Sequence, residues 1–256
     1  MIFLLSCTGN TRWACSKIAQ ATGDRVIDVL KTEERRFAVA EGESIGFCFP
    51  VHGWRPPLQL RRFIAGLTVE GGGERPYCYA LMTAGDTCGE AADILRSDLS
   101  RRGLALDSTF SLIMPESYVG LPFMDVDTKA KERLKIEHAA QQLEVFIPMI
   151  AERRRGVEHV MRGRWPRVNS RVLGAVFTRK LVTDRPFRVD VSRCDACGLC
   201  RRLCPVGNIG WESGRPSWLH NGRCMSCFVC YHHCPHHAIE YGRRTKGKGQ
   251  YTGPAH

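Results

Sequence analysis

The sequence predicts an α/β protein, a doubly wound parallel sheet of five strands, with a small cysteine-rich module after it. Three observations carry this reading. Over residues 1–150 short apolar runs alternate with helical stretches, and five strands with intervening helices imply a parallel sheet covered on both faces. Eight of the 13 cysteines lie between Cys194 and Cys234. Charge divides the chain as well: residues 1–150 hold 17 Lys/Arg against 19 Asp/Glu, and residues 151–256 hold 20 against 7.

The first strand is expected at residues 2–5. The opening stretch 1–6, five apolar residues and a serine, is too short for a signal-peptide core and lacks a cleavage site. No apolar run approaches the roughly 20 residues that span a bilayer, so a cytoplasmic protein is expected. Between this strand and a helix at 12–22 lies Ser6-Cys7-Thr8-Gly9-Asn10-Thr11. Glycine and short hydroxyl residues at such a turn leave N–H groups and hydroxyls facing one concavity, where the helix dipole adds positive potential. That suits a phosphate monoester without any lysine. It is neither a Walker A loop nor the dinucleotide G-x-G-x-x-G.

Strands at 26–29 and 45–49 follow. After the second comes Phe49-Pro50-Val51-His52-Gly53-Trp54-Arg55-Pro56-Pro57 and a helix at 57–67. A strand at 77–82 leads into Thr83-Ala84-Gly85-Asp86-Thr87-Cys88-Gly89 and a helix at 90–102. A strand at 108–114 is followed by Glu116, Ser117 and Tyr118, then by a long helix at 128–155. Ligands of such a sheet sit at the carboxyl ends of its strands, where these loops fall. Residues 151–186 read as a basic, partly helical connector, in which Val172, Leu173, Val176, Phe177, Lys180 and Leu181 suggest an amphipathic helix. Its apolar residues are expected to pack on a domain while its arginines face water. Residues 243–256, rich in Gly and Lys/Arg, read as a mobile tail.

The cysteines form Cys194-x2-Cys197-x2-Cys200-x3-Cys204-Pro205 and Cys224-x2-Cys227-x2-Cys230-x3-Cys234-Pro235. Thiols three residues apart in a curling loop each reach a different iron of a cubane, while the fourth points away to the other cluster. One cluster is thus expected on Cys194, Cys197, Cys200 and Cys234, and the second on Cys224, Cys227, Cys230 and Cys204. The prolines stop the local helix after each fourth ligand. Structural zinc has no use for a third thiol at the same interval. Residues 187–242 resemble the bacterial 2[4Fe–4S] ferredoxins, small α+β domains. His232, His233, His236 and His237 lie in or beside this run and are expected to be spacers without a metal of their own.

The loop at Ser6–Thr11 resembles the flavodoxin phosphate loop, Ser/Thr-x-Thr-Gly-x-Ser/Thr, which binds the FMN phosphate. That resemblance implies a flavodoxin-like fold and an FMN site at Ser6, Thr8, Gly9, Asn10 and Thr11. It extends to Pro50, Val51, His52, Gly53 and Trp54, with Trp54 or His52 against the ring, and to Thr83, Ala84, Gly85 and Asp86. Glu116, Ser117 and Tyr118 are candidates for its rim. Residues 1–242 as a whole resemble the EFR1-type bacterial fusions of a flavodoxin-like domain (1–150) with a C-terminal 2[4Fe–4S] ferredoxin (187–242). Cys7 departs from the loop pattern and is expected to contribute its backbone. Cys15, Cys48 and Cys78 are expected as buried small hydrophobes, and Cys88 stands near the expected ring.

The resemblance implies an electron-transfer flavo-iron–sulfur protein of anaerobic metabolism, an oxidoreductase in which FMN exchanges electrons in pairs and the clusters pass them singly. A reductase of a small-molecule substrate fed by the clusters is the alternative. The sequence shows no general acid or base with a readable partner. Two clusters offset roughly four of the positive charges. The remainder, with no nucleic-acid module in view, points to an acidic redox partner protein rather than nucleic acid or a membrane surface.

Overall fold

The computed structural model describes residues 1–73 and 75–254. Its main sheet is built from β1 (Ile2–Leu4), β2 (Val26–Asp28), β4 (Ile45–Pro50), β6 (Cys78–Ala84), β7 (Ser108–Ile113) and β8 (Glu158–His159). They run in the order β2-β1-β4-β6-β7-β8, every neighbouring pair parallel. Two further strands, β3 (Arg36–Val39) and β5 (Thr68–Gly71), pair with each other beside it. Burial of both strand faces explains the layering. Phe3, Phe47, Ala80 and Met82 point into one core, while Ile2, Leu4, Cys48, Tyr79 and Leu81 point into a second on the opposite face. Helices α1 (Asn10–Thr22) and α4 (Lys129–Ala151) close the second core with Trp13, Ile18, Leu143, Phe146 and Ile150. Helices α2 (Leu58–Gly66) and α3 (Ala91–Ser100) close the first with Leu60, Phe63, Ile64, Leu95 and Leu99.

The expected five strands are therefore joined by a sixth. β8 comes from residues assigned to the connector, so the sheet domain does not end at 150. Both β8 residues are exposed, so no apolar pattern marks them. They are held by parallel pairing with Thr109 and Phe110.

The C-terminal module comprises β9 (Phe187–Val189) paired with β12 (Ile239–Tyr241), the hairpin β10 (Ile209–Glu212) and β11 (Arg215–Trp218), and short helices α5 (Leu199–Leu203) and α6 (Val229–His232). Phe187, Phe228, Tyr231 and Tyr241 form its core together with the cysteines. Phe187 stacks on Trp218 at 5.0 Å.

Two expectations are corrected. Residues 166–181 form one helix of alternating α and π turns, but Val172 and Val176 face solvent. The side that packs is polar and small. The buried Ser170 Oγ donates to the Trp54 carbonyl and accepts from the Glu90 N–H, and a Cβ on Gly174 would stand 2.2 Å from the Gly53 carbonyl oxygen. Of the named apolar residues, Phe177 turns inward. The stretch 243–254 is likewise packed, not mobile. Tyr251 is 2% exposed, and Lys248 Nζ donates to the carbonyls of Val119, Leu121 and Met124. Its glycines let the backbone lie flat: a Cβ on Gly253 would meet the Thr8 carbonyl at 2.6 Å.

Candidate functional site

The two cysteine runs fold as near copies, and each fourth cysteine is turned toward the other run. Cys194, Cys197, Cys200 and Cys234 surround one small cavity. The Cys200 thiol is raised to about 11, first by burial and then by Cys234, Cys197 and Cys194. Cys204 does not line that cavity; Cys227 acts on its thiol, and it in turn helps push up Cys224 and Cys230, each raised first by burial. Among the described residues no three His, Cys, Asp or Glu side chains converge on a point for a single ion. The two runs repeat one backbone contact as well: the Asn208 N–H donates to Cys204 Sγ and the Ala238 N–H to Cys234 Sγ, both at 3.2 Å. Such donors stabilise negative charge on the sulfurs.

At the carboxyl ends of β1, β4, β6 and β7 lies a cavity of about 450 Å³, within the range of small-molecule sites. Ser6, Thr8, Asn10, Thr11, Pro50, Val51, His52, Gly53, Trp54, Thr83, Ala84, Gly85 and Asp86 all line it, and so do Glu116, Ser117 and Tyr118. Gly9 stands just behind, with φ +105°, in the turn that starts α1. In the first turn of α1 the Asn10 and Thr11 amides have no preceding helical carbonyl to bond and, among the described residues, remain available to an anion.

Local contacts refine the roles of these side chains. Ser6 Oγ accepts the Arg12 N–H at 3.1 Å, and Thr11 Oγ1 is bonded to Thr83 Oγ1 at 2.8 Å. The Asn10 amide donates to the Pro115 carbonyl, and its oxygen accepts from the Tyr251 hydroxyl. Among the described residues the Thr8 hydroxyl has only a long 3.4 Å contact, to Ser117 Oγ. Trp54 donates its indole N–H to Thr87 Oγ1, which fixes the ring against the wall. Burial pushes the His52 imidazole down to about 4, so it is neutral near pH 7. Glu116 is raised by burial, although its Oε1 accepts from the Ser117 and Tyr118 amides.

Part of the wall comes from the cysteine module: Met225, Ser226 and Cys227 line the cavity, with Phe177 from the connector helix. Cys7 lies against Cys227. Hydrogen bonding to Cys227 and then burial push the Cys7 thiol well up, and the same bond holds Cys227 low. Cys88 is instead buried in the sheet core, raised to about 12 by burial. Cys15, Cys48 and Cys78 are also buried. His232 is a structural link rather than a spacer, with its ring between the Ser117 carbonyl and the Tyr251 N–H. Sequence reasoning missed Leu121, Phe123, Met124, Phe177 and Met225 in the wall, as well as the packing of residues 248–254 on the 6–11 and 119–124 loops. Only Phe177 carried a signal, as an apolar residue on a helix.

Comparison with known proteins bears on the C-terminal module. A family described as a 4Fe-4S dicluster domain matches residues 193–239. No curated protein matches the chain significantly. The chain therefore carries a ferredoxin-like iron–sulfur domain, and its chemistry includes iron–sulfur electron transfer. No helix among the described residues is long and apolar enough to cross a membrane.

Proposed function

We propose that this chain is a flavo-iron–sulfur electron-transfer protein. It holds FMN in the cavity at the strand ends and two [4Fe–4S] clusters in the C-terminal module, and it passes electrons between them. The carrying observation is the shared wall: Cys227, a cluster ligand in this reading, and Cys7, from the loop after β1, line one cavity. Electrons would then cross a contact rather than a gap of solvent.

The strand order supports the flavodoxin-like label. In β2-β1-β4-β6-β7 the chain leaves β1 to one side and then crosses to the other, and the cavity lies outside that switch point, as ligands of doubly wound sheets do. The residues present fit a flavin monophosphate. The Thr8 hydroxyl and the Asn10 and Thr11 amides at the start of α1 would take the phosphate, while Trp54, His52 and the 83–86 loop would bound the ring. When bound, FMN supplies exchange between electron pairs and single electrons. A neutral His52 leaves the phosphate site to the amides and adds no fixed charge beside the ring. Asn10 and Thr11 hold the loop's shape, because their polar atoms are already bonded to protein. The clusters would use the crossed sets Cys194, Cys197, Cys200 with Cys234, and Cys224, Cys227, Cys230 with Cys204. The sheet domain with β8, the connector and the cysteine module are then parts of one electron path.

Anaerobic purification with assay of iron and flavin tests this reading. About eight irons per chain and one FMN released by acid are expected. Iron at that level with no flavin, even after incubation with FMN, would refute the flavin half and leave the ferredoxin half standing.

A further inference from the structure

The connector helix presents its apolar residues to solvent. Trp165, Val168, Val172, Leu173 and Val176 are 47% to 70% exposed. Its opposite side is fixed to the protein by Ser170 and Gly174, so the helix cannot roll these residues inward. Exposed apolar stripes of this kind mark interaction surfaces. The flanks carry Arg164, Arg167, Arg171, Arg179 and Lys180, all exposed, and residues 159–183 contain no Asp or Glu. Arg171 and Arg167 lean on Glu90 of the sheet domain, whereas Arg164, Arg179 and Lys180 form no ion pair among the described residues.

We propose that this helix docks in the interface of an anionic lipid membrane. Charge selects the kind of partner, because an acid-free stretch with cations on both flanks attracts negative surfaces. Shape selects lipid over protein: the stripe is a convex ridge along one helix, with a tryptophan near its start and a basic pair at its end. A basic amphipathic helix with Trp and aliphatic residues on its apolar side lies flat at the headgroup boundary in this way. The expectation of an acidic protein partner rested on charge alone. The outward stripe adds the apolar half of the signature.

Phe177, next to the stripe, lines the cavity. Docking would place the cavity one helix thickness, about 10 Å, from lipid. The proposal does not depend on which cofactor the cavity holds.

The test is sedimentation of the iron-loaded protein with vesicles of phosphatidylcholine, with and without phosphatidylglycerol. Binding is expected only to the anionic vesicles, and it should weaken with salt. The double variant Val172→Glu with Val176→Glu alters exposed positions, so its iron absorption should be unchanged while binding is lost. Arg179→Glu with Lys180→Glu should weaken binding at least about tenfold. No preference for anionic over neutral vesicles would overturn the proposal, as would binding indifferent to the two glutamates. Two further results would overturn it in favour of another occupant: a dimer in solution that the glutamates dissociate, or a lipid-free complex with an acidic ferredoxin that they abolish.

Discussion

Cys204 shows how little sequence distance means in the cysteine module. It follows Cys200 by four residues, yet its charge is felt by Cys230 and Cys224 of the second triplet. Cys204→Ser should therefore impair the cluster built on Cys224, Cys227 and Cys230. Electron paramagnetic resonance of the reduced variant should lose that cluster's signal and keep the other. Loss of the signal from the Cys194 triplet would show that the ligands are not crossed. His52 makes a different prediction. Its imidazole titrates at about 4 when folded, against an ordinary value of about 6.5. Between those values the unfolded chain takes up a proton that the folded chain refuses. Stability on this account is complete above 6.5, falls as pH drops and levels off below 4, with a loss of at most about 3 kcal/mol. Glu116, raised by burial, works the other way at the acid end. Urea titrations across this window should slope less for His52→Gln than for the parent; equal slopes would remove His52 as the cause.

Among the elements, the least legible from sequence was the stretch 243–254. A run such as Arg243-Arg244-Thr245-Lys246-Gly247-Lys248-Gly249 has no apolar period, so composition reads it as mobile. Its order comes from long-range contacts: Lys248 on three carbonyls of the 119–124 loop, Gln250 on the Tyr231 and Cys234 carbonyls, Tyr251 on Asn10. Deleting residues 248–256 should therefore weaken FMN binding by about 1–3 kcal/mol through loss of the Asn10 anchor, as read by flavin fluorescence, while the iron content is kept. Unchanged affinity would make the stretch a passive cover. The cysteine spacing and the loops at strand ends were legible because ligand chemistry and strand polarity fix them locally. β8 and the outward face of the connector helix were not. Two exposed residues suffice for an edge strand, and the Ser170 and Gly174 contacts that set the helix's facing depend on loops 80 and more residues away in sequence.

For the whole molecule the decisive feature is that the cysteine module closes the cavity of the sheet domain. Rapid anaerobic reduction of the clusters should reduce bound FMN in the same molecule, at a rate independent of protein concentration. A mixture of the separate parts, residues 1–186 and 187–256, should react more slowly and in proportion to concentration, since fusion supplies a high effective concentration. An intact-chain rate rising with concentration would mean that the flavin serves an outside carrier.

The link from Tyr251 to Asn10 also bears on how the protein is made. The loop at residues 6–11 leaves the ribosome early, and its covering leaves more than 230 residues later. That covering is seated on Tyr231 and Cys234, so it settles only after the cysteine runs have folded around their iron. Flavin loading should then follow iron loading in the cell. Cells starved of iron should accumulate a chain whose 6–11 loop lacks this support and that retains neither cofactor, and restoring iron alone should recover both.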